Sequence, residues 1–205
     1  MDSSKKHFHT LDALRFFSFL IVFFHHIPIP ENSWFSVFSK SGDVGVSFFF
    51  VLSGFLISYI LIFEKKANKT INLKNFLAKR ILKIWPLFYA MLLFAFLTPF
   101  ILKQLQLSFS NEGYEPNWLL SVLFLENYNM MLTNNFPNVS PLRVMWSLCI
   151  EEHFYIIWGF LFSIIPLNKI KYLIIISIVL ASVCRLFYSY FNLPFLDVFT
   201  NIDYF

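Results

Sequence analysis

Apolar runs of about 20 residues recur along the whole chain, and each run is long enough to cross a lipid bilayer as a helix. The composition agrees with this pattern, because 58% of the 205 residues are hydrophobic and only 14% are charged. Globular domains are usually about half apolar and about a quarter charged. The sequence therefore predicts an all-α protein, a polytopic transmembrane helix bundle.

The hydropathy pattern gives about five full spans and one short segment. The short segment, residues 118–131, is apolar but is interrupted by Glu126 and Asn127, so it is either a strained span or a half-helix that re-enters the membrane. The two cysteines both fall in apolar segments and give no reason to expect a disulfide or a metal site. The full spans are predicted at residues 11–29, 44–63, 84–102, 146–165 and 172–190.

Basic residues are concentrated between the second and third spans, where seven of them stand against the single acid Glu64. Positive residues mark the cytoplasmic side, so this connection and the amino terminus are predicted to lie inside. If residues 118–131 do not cross, Lys169 and Lys171 are cytoplasmic as well, and the charge rule favours that arrangement. The net charge of +4 is explained by this flank, so no nucleic-acid partner is expected. The seven basic residues are Lys65, Lys66, Lys69, Lys74, Lys79, Arg80 and Lys83.

Arg15 and His26 lie eleven positions apart in LDALRFFSFLIVFFHH, which places both on one helix face, about 16 Å apart along the axis. His25 lies about 100° away from His26 and faces elsewhere. A histidine at membrane depth is costly and usually faces a cavity or a partner, so His26 is a candidate functional residue. The alternative is a histidine near the outer end of the span that is hydrogen-bonded to a neighbour.

Small residues in GVSFFFVLSGFLI allow two helices to approach closely within a membrane. By itself this pattern predicts helix packing rather than chemistry. The small residues are Gly42, Gly45, Ser47, Ser53 and Gly54.

A cationic edge is predicted in LAKRILKIWP, where Lys79 and Lys83 are i,i+4 neighbours on one helix face and Arg80 lies beside them. Such an edge at the cytoplasmic surface suits phosphate groups, either of lipid headgroups or of a nucleotide-containing donor. The alternative is a basic flank that only sets the topology.

The stretch WSLCIEEHFYIIW places two glutamates and a histidine among large apolar residues. On a helix, Ser147, Glu151 and Tyr155 share one face, while Glu152 and His153 point away from it. A carboxylate beside aromatic groups in a low-dielectric site is suited to proton transfer. The alternative is that both glutamates lie in the headgroup region and cap the start of a helix.

If Glu151 came near His26, the two residues would have the parts of a general-base dyad. The histidine would accept the proton of a substrate hydroxyl, and the carboxylate would orient the ring and stabilise its cation. Arg185 lies within the last predicted span and needs an anionic partner there, for which the glutamates are candidates.

Four stretches in this order resemble the acyltransferase-3 family of integral-membrane O-acyltransferases. They are LDALRFFSFLIVFFHH, GVSFFFVLSGFLI, FLAKRILKIWPLFY and WSLCIEEHFY. The resemblance implies transfer of an acyl group, most often acetyl from acetyl-CoA, to sugar hydroxyls at the bacterial inner membrane. The acceptors that it implies are O-antigen of lipopolysaccharide, exopolysaccharide, peptidoglycan or lipid-linked saccharides.

The family's motifs fall on residues that the patterns above also select. Its arginine–histidine motif falls on Arg15 and His26, and its tryptophan-serine-leucine-glutamate motif ends at Glu151. The resulting hypothesis makes His26 and Glu151 catalytic and acyl-CoA a donor substrate, with no bound cofactor and no metal. The predicted substrate-binding residues are Arg15, Lys79, Arg80, Lys83, Trp146, Ser147, Tyr155 and Arg185.

The chain also departs from the family pattern. Ser47 stands where many members have aspartate, and the basic cluster is rich in lysine, which lacks the bidentate grip of arginine on phosphate. Members usually have about ten helices, so residues 1–205 are expected to form one acyltransferase-3 transmembrane domain that lacks its carboxy-terminal half. Two other hypotheses are a component of a transporter or channel, whose ion paths also use buried Arg, His and Glu, and an inactive fragment of such an enzyme.

Overall fold

The computed structural model describes residues 9–27, 41–107 and 112–193. These residues are mainly helical and contain no strand, apart from an isolated bridge between Tyr114 and Pro137. They belong to two compact units, an amino-terminal unit (Met1–Lys69) and a carboxy-terminal unit (Thr70–Phe205). The prediction of an all-α, polytopic helical protein is confirmed.

Four helical stretches in the described part of the chain are long and apolar enough to cross a membrane. They include four of the five predicted full spans, whereas the first predicted span, 11–29, runs into residues outside the described ranges. The four stretches are Gly42–Asn68, Leu73–Gln104, Pro141–Ile164 and Leu167–Tyr190.

The amino-terminal unit is a pair of packed helices, α1 (His9–His26) and α2 (Gly42–Asn68). Two buried glycines of α2 lie directly against α1. A methyl group added to Gly45 would lie 2.9 Å from Cγ2 of Val22 and 3.0 Å from the Ser18 carbonyl oxygen, and one added to Gly42 would lie 2.3 Å from the ring of His25. The predicted close approach of helices is therefore confirmed at these two positions.

In the carboxy-terminal unit the third span begins earlier than predicted. The helix α3 (Leu73–Gln104) is preceded by its N-cap residue Asn72, whose side chain accepts a hydrogen bond from the backbone N–H of Asn75 at 3.0 Å. The basic connection predicted between the spans is therefore mostly helix, because lysine and arginine favour helices and Asn72 caps this one. At 1.5 Å per residue, its 32 residues extend about 48 Å, beyond the roughly 30 Å of a bilayer core.

Residues 118–131 form two short helices, α4 (Trp118–Val122) and α5 (Glu126–Thr133). Between them Phe124 has a left-handed backbone, with φ of 59°, and the N–H of Leu125 donates to the carbonyl of Leu120 at 2.8 Å. Neither helix is long enough to cross a bilayer by itself, so a short segment is confirmed, and its re-entry into the membrane stays a prediction.

Two longer helices follow, each preceded by a short 3-10 turn. The first is α6 (Trp146–Ile164) and the second is α7 (Ile170–Tyr190). A hydrophobic core joins α3, the α4–α5 turn and the start of α6, and in it the rings of Phe88 and Phe124 stack 3.8 Å apart. The core residues are Phe88, Leu92, Ala95, Phe124, Val139, Leu142, Met145 and Cys149.

Candidate functional site

Helices α3 and α6 run antiparallel: residue numbers rise along α3 while the numbers of their contact partners on α6 fall. This arrangement places the WSLCIEE segment beside the part of α3 that follows its basic residues. Three pairs in contact define the register: Phe76 with Gly159, Arg80 with Tyr155, and Trp85 with Glu152.

Glu151 is buried in this interface, with 9% of its surface exposed. The hydroxyl of Tyr155, one helical turn further on, donates a hydrogen bond to Oε1 of Glu151. The guanidinium carbon of Arg80 lies 5.4 Å from the centre of the Tyr155 ring, within the range of a cation–π contact. Glu151, Tyr155 and Arg80 therefore form one cluster, and their roles in the reaction stay predictions.

The basic cluster on α3 is divided by this contact. Lys79 and Lys83 are exposed, whereas Arg80 is half-buried and turned toward α6. The guanidinium carbon of Arg80 also lies 5.7 Å from the centre of the Phe76 ring. The two lysines thus form the exposed cationic edge that was predicted, while Arg80 belongs to the helix interface.

Glu152 is a residue that the sequence argument missed. It is 4% exposed, and the indole N–H of Trp85 donates to its Oε2 at 3.3 Å. The face argument assumed a single buried face, but α6 packs against both α3 and α5 and so buries Glu151 and Glu152 alike. Two consecutive glutamates within an apolar run were the available signal, because ionisable residues in a membrane segment usually face the helix bundle, a cavity or a partner.

Trp85 is itself held by aromatic neighbours. Its ring centre lies 5.8 Å from that of Tyr89 and 5.6 Å from that of Phe124. The Tyr89 hydroxyl donates to the carbonyl of Val122 at 3.1 Å, which ties α3 to the end of α4. The position of the indole N–H is therefore fixed by packing from two elements.

Three other predicted residues of this unit lie outside that cluster. Trp146 and Ser147 are half-buried at the start of α6, where the Ser147 hydroxyl donates to the carbonyl of Val144 at 3.3 Å. Arg185 lies exposed on α7, five residues before its end at Tyr190. Tyr155 donates to Glu151 and Trp85 donates to Glu152, and the predicted pairing of Arg185 with one of the glutamates stays a prediction.

The remaining predicted residues lie in the amino-terminal unit. Arg15 is half-buried, with Nη2 3.5 Å from Oγ of Ser53 and its guanidinium carbon 5.9 Å from the Phe49 ring. His26 is the exposed last residue of α1, and its ring lies 5.1 Å from that of His25. His26 and Glu151 belong to different units, so their approach stays a prediction.

A third buried carboxylate is the one that interrupts the short apolar segment in the sequence. Glu126, the first residue of α5, is 1% exposed and accepts hydrogen bonds from the hydroxyls of Tyr114 and Ser121, one at each oxygen. Burial, together with the hydrogen bond to Glu126, raises the pKa of the Tyr114 phenol above its ordinary value. Arg143 secures the same region by donating to the carbonyls of Pro137 at 2.8 Å and Glu112 at 2.7 Å.

Comparison with known proteins decides the family. Residues 8–205 match the model of the acyltransferase-3 family, which is described as an acyltransferase domain. The chain belongs to the acyltransferase-3 family. The resemblance seen in its four sequence motifs is thereby confirmed, and both the Arg80–Tyr155–Glu151 cluster and Glu152 lie within the matched range.

Relatives within the acyltransferase-3 family are longer proteins. The chain is 35% identical over 161 residues to the peptidoglycan O-acetyltransferase OatA of Listeria monocytogenes, covering 76% of this chain and 24% of that protein. It is 32% identical over 153 residues to the putative peptidoglycan O-acetyltransferase YrhL of Bacillus subtilis, covering 72% and 22%. It is 28% identical over 175 residues to the O-acetyltransferase OatA of Staphylococcus aureus, covering 82% and 28%. The chain thus spans about a quarter of the length of these relatives. No solved structure matches it.

Proposed function

We propose that this acyltransferase-3 protein acts as a membrane-bound O-acyltransferase, which moves an acetyl group from acyl-CoA to a hydroxyl of a cell-surface carbohydrate. The observation that carries the proposal is the burial of Glu151 and Glu152 in the α3–α6 interface, beside Arg80 and Tyr155. Buried carboxylates are costly in an apolar interface and are typical of functional sites in membrane proteins. In a chain of this family, their expected use is acyl transfer.

The first candidate for the acceptor is peptidoglycan, because two of the relatives are named for peptidoglycan O-acetylation. O-antigen, exopolysaccharide and lipid-linked sugars are the other candidates, and all of them offer the same chemical group, a sugar hydroxyl. The proposed location is the bacterial cytoplasmic membrane, with the amino terminus inside.

The donor would bind at the cytoplasmic end of α3. Lys79 and Lys83 are exposed there, in the basic part of α3 that precedes its apolar run, and they suit the phosphates of acyl-CoA. Arg15 is proposed to support the donor from the amino-terminal unit. Acyl-CoA is a substrate in this scheme, and no resident cofactor or metal is required.

The proposed chemistry is direct transfer through general-base catalysis. His26 takes the proton of the acceptor hydroxyl, and Glu151 orients the imidazole and stabilises its cation. The resulting alkoxide attacks the thioester carbonyl, an ester bond forms, and the carbon–sulfur bond breaks. The CoA thiolate then takes the proton from His26. Trp146, Ser147, Tyr155 and Arg185 are proposed to help bind the two substrates.

The experiment that tests the proposal is a histidine substitution in the full-length protein. We expect His26→Ala to lower the ester-linked acetate that mild base releases from cell-wall glycans by about 100-fold or more, because the general base is lost. His25→Ala is the matched control, since His25 is adjacent, packs against Gly42 and has no assigned role in catalysis. Wild-type acetylation in the His26→Ala strain would overturn the assignment.

A further inference from the structure

Two buried polar atoms of the α3–α6 interface have no hydrogen-bond partner in the described part of the chain. They are Oε1 of Glu152 and Nε of Arg80. Buried polar groups in proteins are nearly always hydrogen-bonded, because an unmade bond leaves the full cost of removing the group from water. One of these atoms is an acceptor and the other is a donor, and the charge of Arg80 acts on Glu152, so a ligand group that both donates and accepts matches the pair.

The indole and hydroxyl donors near Glu152 already form other hydrogen bonds, so they do not pair with its Oε1 atom. Trp85 donates to Oε2 of Glu152, and the Tyr155 hydroxyl donates to Glu151 rather than to Glu152. The charges of Arg80 and Glu151 both act on Glu152. Tyr89 also lies within the electrostatic range of Glu152, but its hydroxyl donates to the carbonyl of Val122.

The charges around the two atoms indicate the chemistry of the ligand group that would bind them. An anion such as phosphate would be repelled by two carboxylates, and an ammonium group could donate to Glu152 but has no acceptor to offer to the Nε–H of Arg80. A hydroxyl is neutral and can donate to a carboxylate while it accepts from a guanidinium N–H through the same oxygen. The two unpaired atoms, Oε1 of Glu152 and Nε of Arg80, therefore match a hydroxyl group.

We propose that Glu152 and Arg80 bind a hydroxyl of the carbohydrate acceptor other than the one that is acetylated, and that Trp85 is a positioning residue that fixes the Glu152 carboxylate for this contact. The inference rests on the proposed acyl transfer and refines it. It assigns Arg80 to the acceptor and leaves the donor phosphates to Lys79 and Lys83, which are exposed on the same helix.

The test measures the two KM values separately, using membranes that contain the full-length protein, acetyl-CoA and soluble fragments of the candidate acceptor glycans, with peptidoglycan first. Trp85→Phe removes the indole N–H, and Arg80→Lys keeps the charge but removes the Nε–H. We expect each variant to raise the acceptor KM about tenfold, as for the loss of a hydrogen bond to a charged group, and to leave the acetyl-CoA KM within about twofold.

Tyr89→Phe is the matched control, because Tyr89 packs against Trp85 but donates to a backbone carbonyl. Both of its KM values are expected to stay at the wild-type level. If Trp85→Phe does not accumulate as folded protein, Arg80→Lys decides the question alone.

The outcomes separate the inference from the function on which it rests. If the wild-type protein transfers no acetyl group to any of the glycans, the proposed function fails and the inference fails with it. If the wild type is active and both variants have the wild-type acceptor KM, the two unpaired atoms bind only an internal water and the inference is wrong. A rise in the acetyl-CoA KM alone would assign the position to the donor and would also overturn the inference.

Discussion

The carboxy-terminal unit buries carboxylates in two regions that differ in how the oxygens are satisfied. Glu126 receives a hydroxyl donor at each oxygen, from Tyr114 and Ser121. Glu152 receives one donor, from Trp85, and its other oxygen is buried without a hydrogen-bond partner among the described residues. We infer that Glu126 serves the fold, whereas Glu152, which is anchored at one oxygen, keeps a position for a ligand. The comparison thus predicts different consequences for the removal of the two carboxylates.

The largest effect should come from removing each carboxylate in turn. Glu126→Ala removes two hydrogen bonds and leaves the Tyr114 hydroxyl without this acceptor, while the Ser121 hydroxyl can still donate to the carbonyl of Asn117 at 3.1 Å. It is expected to lower the free energy of unfolding by roughly 2–5 kcal/mol. Glu152→Ala leaves only the Trp85 N–H unpaired and should cost roughly 1–3 kcal/mol, but it should abolish saturation by the acceptor. Denaturant unfolding in detergent and acetyl transfer per folded molecule check the two quantities. Equal stability losses for the two variants would break the comparison.

A smaller effect is expected from the tyrosine that serves Glu126. Tyr114→Phe leaves one oxygen of Glu126 unpaired and should lower the free energy of unfolding by about 1–3 kcal/mol, with acetyl transfer per folded molecule unchanged. Melting temperature in detergent measures the change, and Tyr128→Phe on α5 is the control. A fall in activity larger than the loss of folded protein would show that the Glu126 region also serves the reaction.

Because the pKa of Tyr114 is raised, the stability of the wild type should depend on pH differently from that of Tyr114→Phe. The folded state keeps this phenol protonated, so its contribution to stability is complete below the unfolded pKa of about 10 and is lost as the pH rises above that value. Between pH 8 and pH 11 the wild type should therefore lose more stability than Tyr114→Phe. An equal loss in both proteins would contradict the assigned cause.

The sequence predicts the helices of this protein better than it predicts its polar contacts. Apolar runs of spanning length predict the helices because the bilayer imposes their length, and i,i+4 spacing places Glu151 on one face with Tyr155. The start of α3 at Asn72 was missed because basic residues outside an apolar run carry no hydropathy signal, although they favour a helix.

The contacts that define the two acidic regions join residues far apart in the chain. Trp85 and Glu152 are 67 positions apart, and Tyr114 and Glu126 are twelve apart across a turn and a short helix. No periodicity relates such positions, because their meeting depends on how α3, α5 and α6 pack. For this reason the sequence presented Glu126 only as an interruption of an apolar segment and Glu152 only as a residue off the chosen face.

The smallest expected effect concerns Phe124, which connects the two regions. Its ring stacks on Phe88 and lies 5.6 Å from that of Trp85, while its backbone, with φ of 59°, ends the helix that carries Ser121. Phe124→Leu keeps an apolar side chain but loses the ring contacts, so the free energy of unfolding should fall by about 0.5–1.5 kcal/mol. Because Trp85 loses one support, the acceptor KM should also rise, by less than in Trp85→Phe. If stability falls and the acceptor KM does not move, the aromatic contacts only hold the core, and Trp85 is positioned by α3 alone.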